Sequence, residues 1–367
     1  MTDAADARFM DLALALGRRG LGRVAPWPSV GCVIVRAGRI VGRGTSDPVS
    51  LRHAERVALD QAGQAAGGAT VYVTLEPCAH HGRTPPCADA LVAAGVARVV
   101  VATGDPNPLV AGQGLARLRA AGIAVDLGLR AAEARADQAG FLSVQERGRP
   151  FVTLKLATSF DGRIATASGE SRWITGPEAR RAVHALRARH DAVLVGAGTV
   201  RADDPALNVR GLGPVPQPRR VVLSRRLDIP EGRLVATENA GPLVLVHGAE
   251  APDATVARWT GLGATCLACP VEAGELAPGP ALAALAGVGL TRVFCEGGGT
   301  LAASLLAAGL VDEVVGVTAG LMIGAEGMPA IGALGLSALA EAPRFTLVET
   351  RALGGDVMHR WVRAQQF

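Results

Sequence analysis

The chain has 367 residues, of which 49% are hydrophobic and 19% are charged, and its formal net charge is +4. This length and composition are typical of a globular protein with two domains. The basic residues are scattered and aromatic residues make up only 3% of the chain, which argues against a nucleic-acid-binding surface. No apolar run reaches the roughly 18 residues of a membrane span, and the acidic start is unlike a secretory signal. We therefore expect a cytoplasmic protein that binds neither nucleic acid nor membrane.

The first 148 residues alternate between helical and strand-like patterns. Runs with helical apolar spacing are followed by apolar, β-branched runs, with turn residues between them. We predict helices at 9–16, 55–66, 88–94, 114–121 and 131–147, and strands at 30–35, 40–42, 71–75, 96–102 and 123–127. This alternation is typical of an α/β domain. Gly148-Arg149-Pro150 precedes a new strand, so it is the predicted boundary between domains 1–148 and 149–367.

Three side chains that bind metals and one carboxylate form a catalytic pattern in this domain. His53 and Glu55 open a predicted helix, Cys78 follows the strand 71–75, and Cys87 opens the next helix. One imidazole and two thiolates are the ligands of a catalytic zinc ion that keeps its fourth position for water, whose pKa falls to about 7. A carboxylate two residues beyond the histidine can carry a proton from that water, as hydrolytic deamination of a nucleobase requires. The sequence therefore predicts zinc on His53, Cys78 and Cys87, with Glu55 as the proton carrier.

Histidine and cysteine are also common core residues, so the alternative here is a buried histidine with two buried free cysteines. The order of His-x-Glu and Pro-Cys, in their strand and helix contexts, favours the metal site. The eight residues between Cys78 and Cys87 depart from the Pro-Cys-x-x-Cys pattern of zinc deaminases. Cys266 and Cys269 form a Cys-x-x-Cys motif without a second pair, and their flanks predict a peripheral strand and turn rather than a redox or zinc site.

Glycines follow two predicted strands of the second domain. We predict a strand that starts at 151 and leads to an Asp-Gly turn at 161–162, further strands at 192–195, 221–226 and 292–295, and helices at 177–189 and 301–308. Gly196-Ala197-Gly198-Thr199-Val200 would let backbone N–H groups approach a phosphate or a ring, but a plain turn explains this stretch equally well. Gly297-Gly298-Gly299-Thr300 joins a strand to a helix and is the strongest phosphate-binding signal in the chain. Glu296, directly before these glycines, is placed like a catalytic or substrate-orienting carboxylate.

The use of basic residues singles out one position. Thirty-six of the 37 basic residues are arginine and one, Lys155, is lysine. An amine shifts its pKa and transfers protons more readily than a guanidinium, so a single retained lysine indicates a chemical role, with chance survival as the alternative. Ser224-Arg225-Arg226 ends a predicted strand and matches a site for the ribose 2′-phosphate of NADPH, although a solvated turn is equally consistent with it.

Two stretches, Glu76 to Cys87 and Asp105 to Gly114, closely resemble the deaminase half of the bifunctional deaminase–reductase of riboflavin biosynthesis. The stretches described above for the second domain resemble the reductase half of the same enzyme. This resemblance implies a cytidine-deaminase-like three-layer α/β/α domain followed by a dihydrofolate-reductase-like α/β domain. It also implies zinc and NADPH as cofactors, a small phosphorylated pyrimidine as substrate, and a homodimer or homotetramer formed through the reductase domain.

The resemblance implies a reaction sequence and residues that perform it. The 2-amino group of 2,5-diamino-6-ribosylamino-4(3H)-pyrimidinone 5′-phosphate would be hydrolysed, and C1′ of the opened ribosylamine would then accept hydride from NADPH. Lys155 and Asp203 would stand beside the reacting carbon, with Glu296 as a further catalytic residue. The cofactor would be contacted by Ala157, Trp173, Thr199, Asp203, Ser224, Gly297, Gly298, Gly299 and Thr300. The sugar phosphate would be held by Ser171, Arg187, Leu207, Arg210 and Glu296, because arginine pairs well with phosphate.

Several residues depart from the family pattern. Trp27 stands where the family usually has the asparagine of a Pro-Asn-Pro motif, and Ser46 lies where it commonly has a histidine. Arg52 replaces a proline before His53, and Ser224 stands where relatives often have aspartate. Two alternatives therefore remain at this point. One is a nucleotide or tRNA deaminase with a non-reducing second domain, and the other is a catalytically silent ligand-binding protein.

Overall fold

The computed structural model describes residues 4–80, 85–107 and 110–364. The chain divides into two compact units, Met1–Gly148 and Arg149–Phe367. Within the described ranges, no helix combines the length and the apolar character needed to cross a membrane.

The first unit alternates helices and strands, as its sequence pattern predicts. Its helices are α1 Ala4–Gly17, α2 Ala54–Ala62, α3 Cys87–Ala93, α4 Gln113–Ala120, α5 Ala131–Asp137 and α6 Ala139–Arg147. Its strands are β1 Gly31–Arg36, β2 Arg39–Thr45, β3 Thr70–Val73, β4 Arg98–Val101 and β5 Ala124–Leu127. They form one sheet in the order β2-β1-β3-β4-β5, in which β1 is antiparallel to β2 and β3, and β3, β4 and β5 are parallel.

Both faces of this sheet are covered by helices. Successive residues of β1 point to opposite faces, so Cys32 and Ile34 pack with α2, α3 and α4, whereas Val33 and Val35 pack with α1 and α5. A strand that is buried on both sides needs apolar residues throughout, which explains its unbroken apolar sequence. The predicted three-layer α/β/α arrangement is confirmed.

The predicted helix 131–147 is wrong in one respect, because it is two helices that meet at Gln138. The side chain of Gln138 is buried and pairs twice with Ser29. The Ser29 N–H donates to Gln138 Oε1 at 3.1 Å, and Gln138 Nε2 donates to the Ser29 carbonyl oxygen at 2.6 Å. This tertiary contact holds Gln138 at φ −89°, ψ 5°, outside regular helix geometry. The apolar periodicity of the sequence gives no sign of such a break.

The second unit contains a nine-stranded sheet among its described residues. The strands are β6 Phe151–Thr158, β7 Arg163–Ala165, β8 Ala192–Gly196, β9 Arg219–Leu223, β10 Leu243–His247, β11 Thr265–Ala268, β12 Val271–Glu272, β13 Glu275–Leu276, β14 Arg292–Cys295, β15 Glu313–Ala319, β16 Met328–Pro329, β17 Phe345–Leu353 and β18 Asp356–Arg363. The helices are α7 Pro177–Arg187, α8 Ala197–Asp203, α9 Gly232–Ala236, α10 Asp253–Gly261, α11 Pro278–Gly287 and α12 Gly299–Ala307. The order of the large sheet is β11-β10-β9-β8-β14-β6-β15-β18-β17.

The strands from β11 to β15 in this order are parallel, and β18 and β17 add an antiparallel edge. Helices α11 and α12 pack on one face, and α7, α8, α9 and α10 pack on the other. In such sheets, ligands bind beyond the carboxyl ends of the strands, where β8, β9 and β14 are followed by the stretches that the sequence singles out.

Cys266 and Cys269 do not form a pair. Cys266 lies on the edge strand β11 and packs beside Trp259 of α10, whereas Cys269 is buried in the core on the other face of the sheet. The prediction of a peripheral strand without redox or zinc chemistry is consistent with this placement.

Replacing Asp312 with alanine should lower the free energy of unfolding of the second unit by about 3 kcal/mol, because it removes the carboxylate that neutralises the largely buried Arg149 guanidinium. Asp312 accepts hydrogen bonds from Arg149 Nη1 at 2.7 Å, Arg149 Nη2 at 2.8 Å and the Val152 N–H at 2.8 Å. Denaturant titration of the full chain measures the loss. Glu238→Ala changes an exposed carboxylate of the same unit and is the control. Equal effects of about 0.5 kcal/mol or less for both variants would contradict the prediction.

Candidate functional site

The structure brings together His53, Cys78 and Cys87, which come from three separate segments. His53 directly precedes α2, Cys78 follows β3, and Cys87 is the first residue of α3. His53 Nδ1 lies 3.5 Å from Cys78 Sγ and 3.3 Å from Cys87 Sγ, and the three ligand atoms all lie within 4.8 Å of one another. Nitrogen and sulfur ligands of a tetrahedral zinc ion stand about 3.5 Å apart. The donor set and its spacing therefore fit zinc.

The two thiols differ in acidity because they interact with each other. The pKa of Cys78 is lowered to about 4, first by its hydrogen bond with Cys87 and further by His53. The pKa of Cys87 is raised, chiefly by the same hydrogen bond and by burial. The backbone N–H of Cys87 also donates to Cys78 Sγ, at 3.3 Å. Cys78 is thus prepared as a thiolate, the form in which cysteine binds metals.

Glu55 lies in the first turn of α2 and is buried, with 3% of its surface exposed. Burial raises its pKa to about 7, although the charge of His53 opposes this shift. The negative charge of Cys78 adds to the rise in this pKa, and a hydrogen bond with the Cys87 side chain lowers it. A carboxyl group with a pKa near neutrality can both accept and release a proton at physiological pH.

Glu76 is a structural residue of this site to which the sequence analysis gave no role. Its buried carboxylate accepts four backbone hydrogen bonds from described residues. Oε1 accepts from Gly114 at 3.0 Å and Leu115 at 3.3 Å, and Oε2 accepts from Gly112 at 3.1 Å and Asp105 at 3.4 Å. Position 114 must be glycine, because a Cβ there would lie 1.9 Å from the Pro77 carbonyl oxygen. Glu76 therefore ties the segment that carries Cys78 to the segment that begins at Asp105.

His80 and Asp105 lie beside the metal ligands, and the sequence analysis assigned neither of them a role. Burial raises the pKa of Asp105, the negative charges of Glu76 and Cys78 add to this effect, and His80 opposes it. His80 Nδ1 is buried and has no hydrogen-bond partner among the described residues. A buried polar atom of this kind needs a partner, which a bound polar ligand can supply. Both residues stand in stretches that resemble the deaminase family, part of which (81–84 and 108–109) lies outside the described residues.

The residues that depart from the family pattern have structural roles or are exposed. Ser46 Oγ accepts a hydrogen bond from the Val30 N–H at 3.0 Å and donates one to the Pro28 carbonyl oxygen at 2.9 Å. Trp27 is half exposed. The hydroxyl of Ser46 is therefore already used within the protein fold.

A second cluster of charged side chains surrounds Glu296 in the other unit. Lys155 lies on β6, Arg187 ends α7, and Glu296 follows β14. Lys155 Nζ lies 3.7 Å from Glu296 Oε2, and Arg187 Nε donates to Glu296 Oε1 at 2.5 Å. Burial lowers the pKa of Lys155. Burial alone would raise the pKa of Glu296, but the charges of Arg187 and Lys155 outweigh it and lower this pKa to about 2.

Asp203 lies near this cluster without joining it through an ion pair in the described part of the chain. It ends α8, its side chain is exposed, and its charge raises the pKa of Lys155 less than that of Glu296 does. Its backbone carbonyl accepts a hydrogen bond from Arg172 Nη2 at 3.0 Å. Ala157 lies two residues beyond Lys155 on β6 and is half-buried.

The glycine stretch after β14 meets the residues that follow β8. The Gly298 N–H donates to Thr199 Oγ1 at 3.0 Å, so two predicted cofactor residues are in contact and this N–H is already used. The Gly299 carbonyl accepts from the Gly332 N–H at 2.9 Å, and a Cβ at position 299 would lie 2.8 Å from the Pro329 carbonyl oxygen. Gly297 is half-buried and Thr300 is exposed at the start of α12.

Two of the predicted cofactor-binding residues, Trp173 and Ser224, differ in exposure. Trp173 is 67% exposed, with the guanidinium of Arg180 4.6 Å from its ring centre. Ser224 is buried, and its hydroxyl donates to Asp228 at 3.4 Å. Glu250 faces the two arginines that follow Ser224, at 3.4 Å from Arg225 and 3.8 Å from Arg226. The positive charge expected at this strand end is therefore partly neutralised.

The predicted phosphate-binding residues are also partly engaged. Arg187 uses Nε on Glu296 and Nη1 on the Asn208 carbonyl oxygen, at 2.8 Å, so it is not a free guanidinium fork. Leu207 is buried at a positive φ of 52°, and Arg210 is exposed. Ser171 is half-buried in the segment before α7.

Comparisons with known proteins match both parts of the chain. The family model of the cytidine and deoxycytidylate deaminase zinc-binding region matches residues 3–103, and that of the RibD C-terminal domain matches residues 150–359. The riboflavin biosynthesis protein RibD of Escherichia coli (strain K12) is 44% identical over 359 residues, which cover 96% of this chain and 98% of that protein. RibD of Aquifex aeolicus (strain VF5) is 40% identical over 353 residues, which cover 96% of this chain and 97% of that protein.

Solved structures agree with these matches. Acinetobacter baumannii RibD, form 1, has a TM-score of 0.88 and 40% identity, with 98% of this chain and 99% of that chain covered. A diaminohydroxyphosphoribosylaminopyrimidine deaminase/5-amino-6-(5-phosphoribosylamino)uracil reductase from Thermotoga maritima has a TM-score of 0.85 and 33% identity, with 98% and 99% covered. Identity at this level over nearly the full length of the relatives shows that the chain belongs to the RibD family of bifunctional deaminase–reductases of riboflavin biosynthesis.

Proposed function

We propose that the first unit, Met1–Gly148, carries out the deamination and the second unit, Arg149–Phe367, carries out the reduction. The substrate of the first step is 2,5-diamino-6-ribosylamino-4(3H)-pyrimidinone 5′-phosphate, and the final product is 5-amino-6-ribitylaminouracil 5′-phosphate. The deaminase family match lies within the first unit, and the RibD C-terminal match lies within the second. The observation that carries the assignment is the approach of one imidazole nitrogen and two sulfurs within 4.8 Å beside a buried carboxyl group.

In the first unit, His53, Cys78 and Cys87 would hold zinc, which supplies an activated water when it is bound. Glu55 accepts a first proton from the attacking water and passes it to the ring, and it then passes the second proton, from the added hydroxyl group, to the departing amino group. His80 and Asp105, which lie beside the metal ligands, hydrogen-bond the polar edge of the pyrimidine. Glu76 keeps Asp105 in place through the backbone.

In the second unit, NADPH supplies the hydride that C1′ accepts. Lys155 transfers a proton as the ribosylamine opens, because a buried amine with a lowered pKa exchanges protons more readily. Glu296 stays charged and orients Lys155 and Arg187, and Asp203 stands on the open side of this cluster. The substrate is held by Ser171, Arg187, Leu207, Arg210 and Glu296, and the cofactor by Ala157, Trp173, Thr199, Asp203, Ser224 and the stretch Gly297, Gly298, Gly299 and Thr300.

The subunits associate through the second unit as a homodimer or homotetramer in this proposal. Phe160, Met322 and Leu339 are 68%, 65% and 87% exposed there, and large apolar side chains at a surface favour association. Light scattering of the purified chain measures the oligomeric state. We also propose a cytoplasmic location, because the six cysteines are free and cysteine ligands of a metal must stay reduced.

One assay tests the proposed function. With the diaminopyrimidine ribotide as substrate, the zinc-loaded chain should release ammonia and oxidise NADPH. A zinc chelator should abolish ammonia release, whereas NADPH oxidation with the deaminated ribotide should continue and added zinc should restore the first activity. Zinc binding with neither turnover would support the silent ligand-binding alternative. Ammonia release from nucleotides or tRNA, without NADPH oxidation, would support the other alternative.

Replacing Glu55 with glutamine should retain zinc and lower the rate of ammonia release by about a thousandfold, because the amide cannot carry the proton. Retained zinc would report that the first unit is folded, and reduction of the deaminated ribotide by the same chain should be unchanged. Glu133→Gln, an exposed change in the same unit, is the matched control. Deamination at the parent rate would show that another group carries the proton.

Replacing Lys155 with arginine should keep a positive charge near Glu296 but lower the rate of NADPH oxidation by about a hundredfold, because a guanidinium does not release its proton at neutral pH. Ammonia release should match that of the parent chain. Lys155→Met should be at least as inactive in reduction as Lys155→Arg. Full reductase activity in the arginine variant would mean that only the charge at this position matters.

A further inference from the structure

The last turn of α7 contacts the segment 207–210 through two side chains. His184 and Arg187 are three residues apart, so they lie on the same side of the helix. The backbone N–H of Arg210 donates to His184 Nδ1 at 3.3 Å, and the side-chain Nη1 of Arg187 donates to the Asn208 carbonyl oxygen at 2.8 Å. The helix therefore holds the backbone of this segment at two alternate residues.

The opposite edge of the segment is held by Gln217. The Val209 N–H donates to Gln217 Oε1 at 2.7 Å, and Gln217 Nε2 donates to the Val209 carbonyl oxygen at 3.2 Å. Leu207, at the start of the segment, has a φ of 52°, a conformation that a leucine rarely adopts without support from its surroundings. Side chains on both sides thus fix the backbone from which the Arg210 side chain extends.

Arg210 lies near the positive charges of other arginines and, among the described residues, has no carboxylate as an ion-pair partner. Within the described ranges, Arg210 takes part in no ion pair. Partial burial lowers its pKa, and the neighbouring charges of Arg187 and Arg233 add to this effect. An arginine that lies near other positive charges and has no carboxylate partner is stabilised by a bound anion, and phosphate is an anion that a guanidinium binds well.

His184 is suited to hold Arg210 only while its Nδ1 keeps a free lone pair. Burial lowers the pKa of His184 to about 4, and the charges of Arg187 and Arg210 add to this effect while Glu296 opposes it. The ring is therefore neutral at physiological pH, and Nδ1 accepts the Arg210 N–H. A neutral ring also adds no further positive charge beside the arginines.

We infer that His184 is a positioning residue of the reductase reaction, which sets the backbone of Arg210 so that its guanidinium meets the substrate phosphate. This inference rests on the proposed function, in which Arg210 binds that phosphate. His184 itself touches neither the reacting carbon nor the cofactor in this scheme. His184 affects substrate affinity through its hydrogen bond with the backbone N–H of Arg210.

The test compares His184→Leu with His184→Asn in the full-length, zinc-loaded chain. Leucine removes the acceptor, so the KM for the deaminated ribotide should rise about tenfold, as for a lost hydrogen bond of about 1.4 kcal/mol, while kcat and the KM for NADPH stay within about twofold. The asparagine oxygen occupies the place of Nδ1, so His184→Asn should restore the KM to within about threefold of the parent value. Arg181→Leu, an exposed change on the same helix, is the matched control.

Other results would overturn the inference. If Arg210→Ala raises the KM for the ribotide and His184→Leu does not, Arg210 binds the phosphate without help from His184, and only this inference fails. If kcat falls and the KM values for both the ribotide and NADPH rise to the same extent in the leucine and asparagine variants, His184 has a general structural role instead. If the parent chain shows no NADPH oxidation with the ribotide, the proposed function fails and the inference fails with it. Ammonia release by the same variants reports on the folding of the other unit.

Discussion

Burying a carboxylate costs several kcal/mol unless hydrogen-bond donors or cations surround it, and each unit of this chain buries such a group beside its site. In the first unit, Glu76 is satisfied by four backbone N–H groups from Asp105, Gly112, Gly114 and Leu115. In the second unit, Glu296 is satisfied by Arg187 and Lys155. Each carboxylate thereby draws together segments that are distant in the sequence, and the chemically useful side chains lie on those segments.

Satisfying a buried carboxylate with backbone donors, as at Glu76, differs in its consequences from satisfying it with side-chain donors, as at Glu296. Among substitutions only proline removes a backbone donor, so the hydrogen bonds to Glu76 depend little on the side chains of the segment. Position 114 is the exception, because the backbones approach closely there and glycine is needed. Cys78 comes two residues after Glu76, so the same contact limits where this metal ligand can lie. Side-chain donors make Glu296 depend on the identity of its neighbours. Lys155 and Arg187 are therefore coupled to it, and a change in one alters the charge balance of the others.

The elements and the grouping of the three candidate metal ligands could be predicted because their signals are local. Apolar periodicity reports which faces are buried, and the order of His-x-Glu and Pro-Cys places three ligands at the ends of a strand and two helices. The fold class and the cofactors are confirmed. Contacts made across the fold left no such signal. The break at Gln138 comes from Ser29, and the engagement of Arg187 comes from Asn208, so neither follows from the neighbouring sequence.

Contacts with residues distant in the sequence also change the properties of the stretch 224–226. The serine and two arginines at 224–226 suggest open positive charge, but the structure buries Ser224 and sets Glu250 beside both arginines. A residue 24 positions away thus changes the electrostatics of the motif. Conversely, His184 lies in an ordinary amphipathic helix pattern, and only its contact with the Arg210 N–H distinguishes it from a surface histidine.

The environments of Glu55 and Glu296 show how one residue type serves two kinds of chemistry. Glu55 is 3% exposed and the Glu296 side chain 11% exposed, and burial by itself raises the pKa of a carboxyl group. At Glu55 the neighbouring thiolate adds to this effect and burial prevails over the charge of His53, so its pKa reaches about 7 and the group can exchange a proton. At Glu296 two cations outweigh burial, so its pKa falls to about 2 and the group stays charged. The number of cations that each fold places beside a glutamate therefore separates the two groups, in keeping with the proposed roles of Glu55 as a proton carrier and Glu296 as a fixed charge.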